Sequence, residues 1–133
     1  MMFSKDMLCG ILLSSTKMDL NIVSSDASAI GYRVRLRLNI RADAEFLLAV
    51  QRSLLQHGIE TTYRSEEHST RRKPILRIGG IKNLYLLKSI VNPNLPHSKG
   101  EWHSFLECVD IISEKKHLTL EGMERLFEIK GVV

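Results

Sequence analysis

The clearest pattern in the chain is an alternation of apolar and polar residues over positions 31–40. The apolar positions are Tyr32, Val34, Leu36, Leu38 and Ile40, and the positions between them are Arg33, Arg35, Arg37 and Asn39. A period of two is typical of a strand that buries one face and exposes the other. We therefore predict a strand here. A second strand is predicted over residues 17–24, where Met18, Leu20 and Ile22 alternate with Asp19, Asn21 and Val23.

The N-terminal segment predicts a short helix over residues 5–13, capped by Ser4. From Met7 onward almost every residue of this helix is apolar, so the helix has almost no polar face. A short helix that is apolar all round has to be covered on more than one side. In so small a chain we expect a second copy to provide part of that cover. The residues predicted at this dimer interface are Leu8, Gly10 and Ile11.

The remaining elements follow from the same periodicities and from capping signals. They are a helix from Asp43 that ends at Gly58, strands over 59–64 and 74–79, and helices over 81–91, over 99–116 and from 119 onward. In the last strand we expect Leu76 and Ile78 to face inward, and Ile75 and Arg77 to face outward. In the last helix the predicted inward residues are Leu120, Met123, Leu126 and Phe127. Two hairpins, each followed by a helix, predict an α+β domain with an antiparallel sheet.

Composition narrows the class of protein. The chain has 133 residues, of which 44% are apolar and 26% charged, which is typical of one globular domain over residues 1–133 and argues against intrinsic disorder. Cys9 and Cys108 form no CxxC pair, so we expect neither a disulfide framework nor a zinc site. A reducing compartment, cytoplasmic or organellar, follows from that cysteine usage. The uncharged run over residues 7–16 is too short to span a membrane, and it lacks the features of a signal peptide.

The placement of positive charge points to nucleic acid. The net charge is only +4, yet Arg33, Arg35 and Arg37 project from one face of one strand, with no acid between positions 27 and 42. Such a face repels itself and needs an outside counter-charge, which a phosphate backbone supplies. The alternative is a solvated face that binds nothing. The residues predicted to contact DNA on this face and on the second hairpin are Asn21, Arg33, Arg35, Arg37, Asn39, Arg64, Lys73 and Arg77.

Four segments together resemble the single-motif LAGLIDADG homing endonucleases. They are LCGILLSST (8–16), GYRVRLRLNI (31–40), LRIGGIKNL (76–84) and KKHLTLEGMERL (115–126). The resemblance implies an α-β-β-α-β-β-α core, whose saddle-shaped antiparallel sheet lies along duplex DNA. It also implies a homodimer that is joined through the motif helices, and an association with an intron or intein.

The motif departs from the family where the chemistry would occur. Leu13 and Ser15 stand where the motif has its two acids, and Thr16 replaces its closing glycine. Magnesium prefers anionic oxygen ligands, so Ser15 marks a degenerate metal position. The resemblance leaves Asp19 as a substitute catalytic acid and Lys99 as a basic residue near the scissile phosphate. The chain is a naturally degenerate binder, an enzyme with shifted geometry, or an inactivated form.

The leading hypothesis is therefore a dimeric, duplex-DNA-binding protein with lost or reduced cleavage, which needs no cofactor as written. One alternative is an active, magnesium-dependent endonuclease. A second is an RNA-binding splicing helper that recognises structured RNA, and a third is a structural subunit that binds no nucleic acid. The histidines show no metal-ligand spacing, so no metal site is predicted from them. Trp102 and Cys108 are expected in the core.

Overall fold

A four-stranded antiparallel sheet organises the molecule. The structure, a computed structural model, describes residues 2–92 and 101–132. The strands are β1 (Thr16–Ser24), β2 (Tyr32–Arg41), β3 (Thr62–Arg64) and β4 (Ile75–Gly79), and they lie in the order β1-β2-β4-β3. Both predicted hairpins are present, and β2 joins them through its pairing with β4. The predicted antiparallel sheet is thus confirmed.

Five α-helices are described, and the core lies between them and one face of the sheet. They are α1 (Lys5–Ser15), α2 (Ala44–Leu55), α3 (Ile81–Leu86), α4 (Glu101–Ser113) and α5 (Leu120–Val132). Short 3₁₀ turns follow α3 and α4, at Leu87–Ser89 and Lys116–Leu118. Trp102 and Phe105 of α4 are buried with their ring centroids 5.1 Å apart, and Cys108 is fully buried, as predicted.

The helix ends explain why the helices stop where they do. Ser4 accepts a hydrogen bond from the backbone N–H of Met7, which confirms its predicted role as the cap of α1. At the end of α2 the N–H groups of Gly58 and Ile59 donate to the carbonyls of Leu55 and Leu54. That pattern is a Schellman motif, and it places Gly58 at a φ of 77°, where a side chain would be strained. Gly58 therefore ends α2, as predicted.

The pairing register places alternate residues on opposite faces of the sheet. Met18, Leu38 and Ile78 form one row on the inner face, against the helices. Asp19, Arg37 and Gly79 form the neighbouring row on the outer face. The alternation in the sequence therefore corresponds to a core face and a charged face of the sheet, as predicted.

The strand β3 is shorter than the strand predicted over 59–64. The backbone groups that precede β3 are hydrogen-bonded to side chains. Asn83 accepts from the Glu60 N–H at 3.0 Å, and Gln51 donates to the Thr61 carbonyl at 3.3 Å. Ile59 is fully buried all the same. These residues are thus held at the sheet edge without pairing as a strand.

Two predicted orientations, both in the last helix, are wrong, and one residue that faces outward as predicted is nevertheless buried. Ile75 lies on the outer face, as its phase requires, but it is fully buried. In α5 the buried large apolar residues are Met123, Leu126 and Ile129, whereas Leu120 and Phe127 are 67% and 41% exposed. Phe127 instead packs edge-to-face on Tyr32, with the ring centroids 5.1 Å apart.

Side chains from the last two helices close the free edge of β1. Glu101 accepts a hydrogen bond from the Met18 N–H at 3.0 Å, and Lys130 donates to the Leu20 carbonyl at 2.8 Å. Both backbone groups would otherwise be open to pairing with another strand. Within the described residues, no helix is long and apolar enough to cross a membrane.

Candidate nucleic-acid interface

The outer face of the sheet carries most of the predicted DNA-contacting residues. Arg33, Arg35 and Arg37 follow each other on β2, and Asn21 lies opposite Arg35 on β1. Across the middle of the face runs a row made of Lys17, Asn39, Arg77 and Thr62. A third row consists of Arg41, Ile75 and Arg64. The two hairpins therefore form one continuous basic face, as the sequence predicts.

Two cations on this face were missed by the sequence reasoning, although their signal is present. Arg41 continues the alternation of β2 by one more step, and Lys17 is in phase with Asp19 and Asn21. Both are exposed. Extending the period of two by one residue at each strand end would have found them.

Arg33 and Arg35 lie in the N-terminal half of β2 on the outer face, and both are exposed. Neither forms an ion pair with any described residue. They therefore match the expectation of positive charges that have no counter-charge among the described residues.

Arg37 does not match that expectation. Its guanidinium donates twice to the Asp19 carboxylate, from Nη2 at 2.7 Å and from Nε at 3.2 Å. The expectation that all three arginines need an outside counter-charge is thus wrong for Arg37, because Asp19 on the neighbouring strand supplies one. Asp19, the predicted substitute catalytic acid, is held in this ion pair.

The loop between β3 and β4 is ordered by a second acid. Glu67 accepts two hydrogen bonds from Arg41, at 2.7 and 3.0 Å, and lies 3.8 Å from Arg71. The Arg41 guanidinium lowers the pKa of Glu67 to about 2. Backbone bonds between Glu67 and Lys73, and in both directions between His68 and Arg71, close the loop. Since Arg41 pairs with Ile75, the bonds between Arg41 and Glu67 hold the loop beside that end of the face.

This loop presents a further group of cations. Arg71, Arg72 and Lys73 are all exposed, and they line one hollow together with Arg41 and Thr70. Lys73 thus lies beside the basic face, where it was predicted. The ordered loop gives these charges defined positions, which a flexible basic turn would not.

Some polar atoms of the face have no hydrogen-bond partner among residues 2–92 and 101–132. Asn39, at the centre, is 8% exposed, and its Oδ1 accepts no hydrogen bond from a described residue. Nε of its neighbour Arg77, and Oγ1 of Thr61 at the sheet edge, are also buried and unpaired within the described part of the chain. Burial lowers the pKa of Arg77, and the nearby charge of Arg37 lowers it further. A buried polar atom without a partner is costly, so this group is suited to a polar ligand.

A hollow beside these atoms opens on the same face. It is lined by Arg37, Glu60, Thr61, Thr62, Arg64, Arg77, Gly79 and Asn83. Arginine forks and hydroxyl groups in such a hollow can donate to phosphate oxygens or to the acceptor edge of guanine.

The end of α1 does not suit a magnesium ion. Ser14 donates to the Gly10 carbonyl and lies 3.2 Å from the Ser15 hydroxyl, and Thr16 donates to the Leu12 carbonyl. These are neutral groups, already engaged with the helix. Nowhere in residues 2–92 and 101–132 do three metal-ligating side chains cluster. Lys99, the other predicted catalytic residue, lies outside the described residues.

The outer face of α1 carries only part of the predicted dimer interface. Leu8 is fully buried in the core of its own chain, so its predicted place at the interface is wrong. Gly10 is exposed and Ile11 is half-buried, and they share one face with Met7, which is 55% exposed, and with Ser14. A Cβ on Gly10 would have no atom within 4 Å. The helix is thus covered on one side and open on the other.

Comparison with known proteins identifies the fold. No protein-family model and no curated protein matches the sequence. The homing endonuclease I-TnaI is 18% identical, with a TM-score of 0.76 over 97% of this chain and 86% of that chain. The LAGLIDADG homing endonuclease I-LtrWI, bound to target DNA, is 18% identical, with a TM-score of 0.78 over 98% of this chain and 44% of that chain. I-SmaMI, bound to an uncleaved DNA target in the presence of calcium ions, is 13% identical, with a TM-score of 0.77 over 96% and 44%.

The chain therefore has the fold of the LAGLIDADG homing endonucleases, which confirms at the level of fold the resemblance seen in the sequence. It spans 44% of the length of the I-LtrWI and I-SmaMI chains.

Proposed function

We propose that this protein binds duplex DNA on the outer face of its sheet. The observation that carries the proposal is the excess of unpaired cations there. Lys17, Arg33, Arg35 and Arg64 are exposed and lie in no ion pair within the described residues, while Asp19 is the only acid in the four strands. Like charges placed side by side on a strand face destabilise it, and a phosphate backbone removes that cost.

The spacing of the cations suits the repeat of DNA. Alternate residues of a strand lie about 6.8 Å apart, which is about two base-pair steps of B-DNA. Arg33 and Arg35, which are free of ion pairs with the described residues, are therefore spaced to contact the duplex at a regular interval along one groove. The major groove of B-DNA admits a two-stranded ribbon, whereas the major groove of A-form RNA is too narrow for side chains to read. The sheet face thus favours duplex DNA over duplex RNA.

The neighbours in fold support this proposal, since I-LtrWI and I-SmaMI have been observed bound to DNA. We propose in addition that two copies join through the open face of α1, centred on Gly10 and Ile11. A dimer would place two basic faces on one duplex. It would also cover the apolar side chain of Met7, which the single chain leaves 55% exposed.

Cleavage is not part of the proposed function. I-SmaMI has been observed with calcium ions, but the end of α1 offers serine and threonine hydroxyls where a divalent ion needs carboxylates. Magnesium enters this proposal only if the chain cuts DNA, in which case Asp19 is the first residue to test.

Selection from random duplex DNA, with and without Mg²⁺, tests the proposal. We expect one enriched site under both conditions, bound with a log–log salt slope of several units and more tightly than an RNA duplex of the same sequence. Failure to enrich any site, together with binding that does not depend on the salt concentration, would contradict the proposal. Preference for the RNA duplex would favour the splicing-helper alternative instead.

A further inference from the structure

Asp19 is an acid on the face that we propose binds DNA. It is the only acid among the residues of the four strands, and it lies on the outer face, directly opposite Arg37. Its side chain is 34% exposed, so the carboxylate can be reached from the side where DNA would lie.

The contacts of Arg37 show what this acid does to it. The position opposite Arg37 on β4 is Gly79, where a Cβ would lie 3.6 Å from Arg37 Cγ and 3.8 Å from Cδ. The arginine stem thus lies over the glycine, and the guanidinium is bonded to Asp19 on the other side. With 22% of its side chain exposed, Arg37 lies along the sheet instead of extending away from it.

We propose that Asp19 occupies Arg37 in place of a phosphate and thereby suppresses sequence-independent DNA binding by this face. The inference rests on the proposed function. A phosphate offers no donor to Asp19 and has to compete with it for Arg37, so backbone contact is penalised at this point. The amino groups of cytosine and adenine in the major groove can donate to a carboxylate, so suitable base edges escape the penalty.

Glu67 does not share this role, although it also pairs with an arginine of β2. Its side chain is only 10% exposed, and its bonds to Arg41 hold the loop between β3 and β4. Asp19 bonds to a residue of the neighbouring strand, not to a loop, so we expect its substitution to leave the backbone pairing of β1 intact.

The test compares Asp19→Asn with Asp110→Asn. Asp110 is also bonded to a cation, since Lys88 Nζ donates to it at 2.6 Å, but both of these residues belong to the helical side of the molecule. The two variants therefore lose the same charge in different places. Binding is measured over a range of salt concentrations, on the selected duplex and on a scrambled one.

We expect Asp19→Asn to bind the scrambled duplex several-fold more tightly, with a salt slope steeper by about one, because one more arginine reaches a phosphate. Affinity for the selected duplex should change less, so the ratio of the two affinities falls. Asp110→Asn should resemble the wild type. In an Arg37→Gln background, Asp19→Asn should alter the slope by less than half as much, since no arginine is left to release.

Each outcome separates this inference from the proposed function. If the wild type binds duplex DNA with strong salt dependence but Asp19→Asn binds the scrambled duplex no better, only the role of Asp19 is overturned. An equal effect of Asp19→Asn in both backgrounds would also overturn it. If neither protein binds duplex DNA at any salt concentration, the inference and the proposed function fail together.

Discussion

At the residue scale, single atoms decide what the fold tolerates. A Cβ added to Gly122 would lie 1.8 Å from the carbonyl oxygen of Lys116, which belongs to the turn before α5. Because that contact is with backbone, no side-chain rotation can relieve it. Gly122 thus fixes how closely α5 approaches the turn that precedes it, while its N–H donates to the Thr119 hydroxyl just before the helix.

Gly122→Ala should therefore destabilise the protein by at least about 1–3 kcal/mol. The matched control is Gly131→Ala, in the same helix, where a Cβ has no atom within 4 Å. That change should leave stability unchanged or raise it by up to about 0.5–1 kcal/mol, because alanine favours a helix. Urea unfolding measures both, and equal effects of the two substitutions would contradict the close approach.

Glu67 makes stability depend on pH in a defined window. Its pKa falls from an ordinary value of 4.5 to about 2 because Arg41 stabilises the charged form. The lowered pKa means that the ion pair contributes fully above pH 4.5 and is lost as the pH falls through 2. In urea unfolding, wild type should exceed Glu67→Gln in stability at pH 7 and approach it near pH 2.

The neighbouring substitution Glu66→Gln removes an exposed acid that forms no ion pair among the described residues. It should follow the wild type over the whole range. If the difference between wild type and Glu67→Gln is the same at both ends of the window, the Arg41–Glu67 pair does not stabilise the loop.

At the scale of elements, the two faces of α1 have different roles: one packs into the core of its own chain, and the other is the face that we propose joins a second copy. Gly10 lies on its open face, where an added Cβ has no atom of the described residues within 4 Å. Gly10→Phe should thus leave the fold intact but block the close approach of a second helix, and so weaken a dimer. Sedimentation of wild type and variant at micromolar concentration measures this. A monomeric wild type, or a variant that dimerises equally well, would contradict the proposed dimer.

The sequence predicted β1 and β2 to within one residue, because alternation over nine or more residues has a single structural meaning. It failed where distant partners decide. In α5, the helical period alone allows Leu120 and Phe127 to be buried as readily as Leu126 and Ile129. Tertiary packing decides that Leu126 and Ile129 are the buried pair. Asn83 and Gln51 shorten β3 through contacts that no local pattern contains.

The sequence predicts that the candidate site is positively charged, but it does not predict which of its arginines form ion pairs. The arginines of β2 predict a basic face, because the alternation in the sequence alone places them on the same side of the strand. Which of them is free depends on the register between β1 and β2, which sets Asp19 opposite Arg37 and Asn21 opposite Arg35. A shift of two residues would have paired a different arginine.

At the scale of the whole molecule, binding and cleavage separate. The basic face is complete, whereas the end of α1 has no carboxylate at Leu13 or Ser15. We expect the unmodified protein to leave supercoiled plasmid that carries its selected site uncut in Mg²⁺, because metal-assisted hydrolysis loses several kcal/mol of stabilisation. Ser15→Asp restores one ligand and is the variant to assay for nicking. Cutting by the unmodified chain at ordinary enzyme rates would contradict this expectation and make Asp19→Asn the next variant to test.

The central claim is that the outer face of the sheet binds duplex DNA. Its most direct test is the salt dependence of binding for Arg33→Ala/Arg35→Ala, with Lys5→Ala/Arg52→Ala as a control that removes two exposed cations from α1 and α2. We predict weaker binding and a slope smaller by about two for the first pair, and no change for the control. Equal affinity and slope for the Arg33/Arg35 variant and the wild type would contradict it.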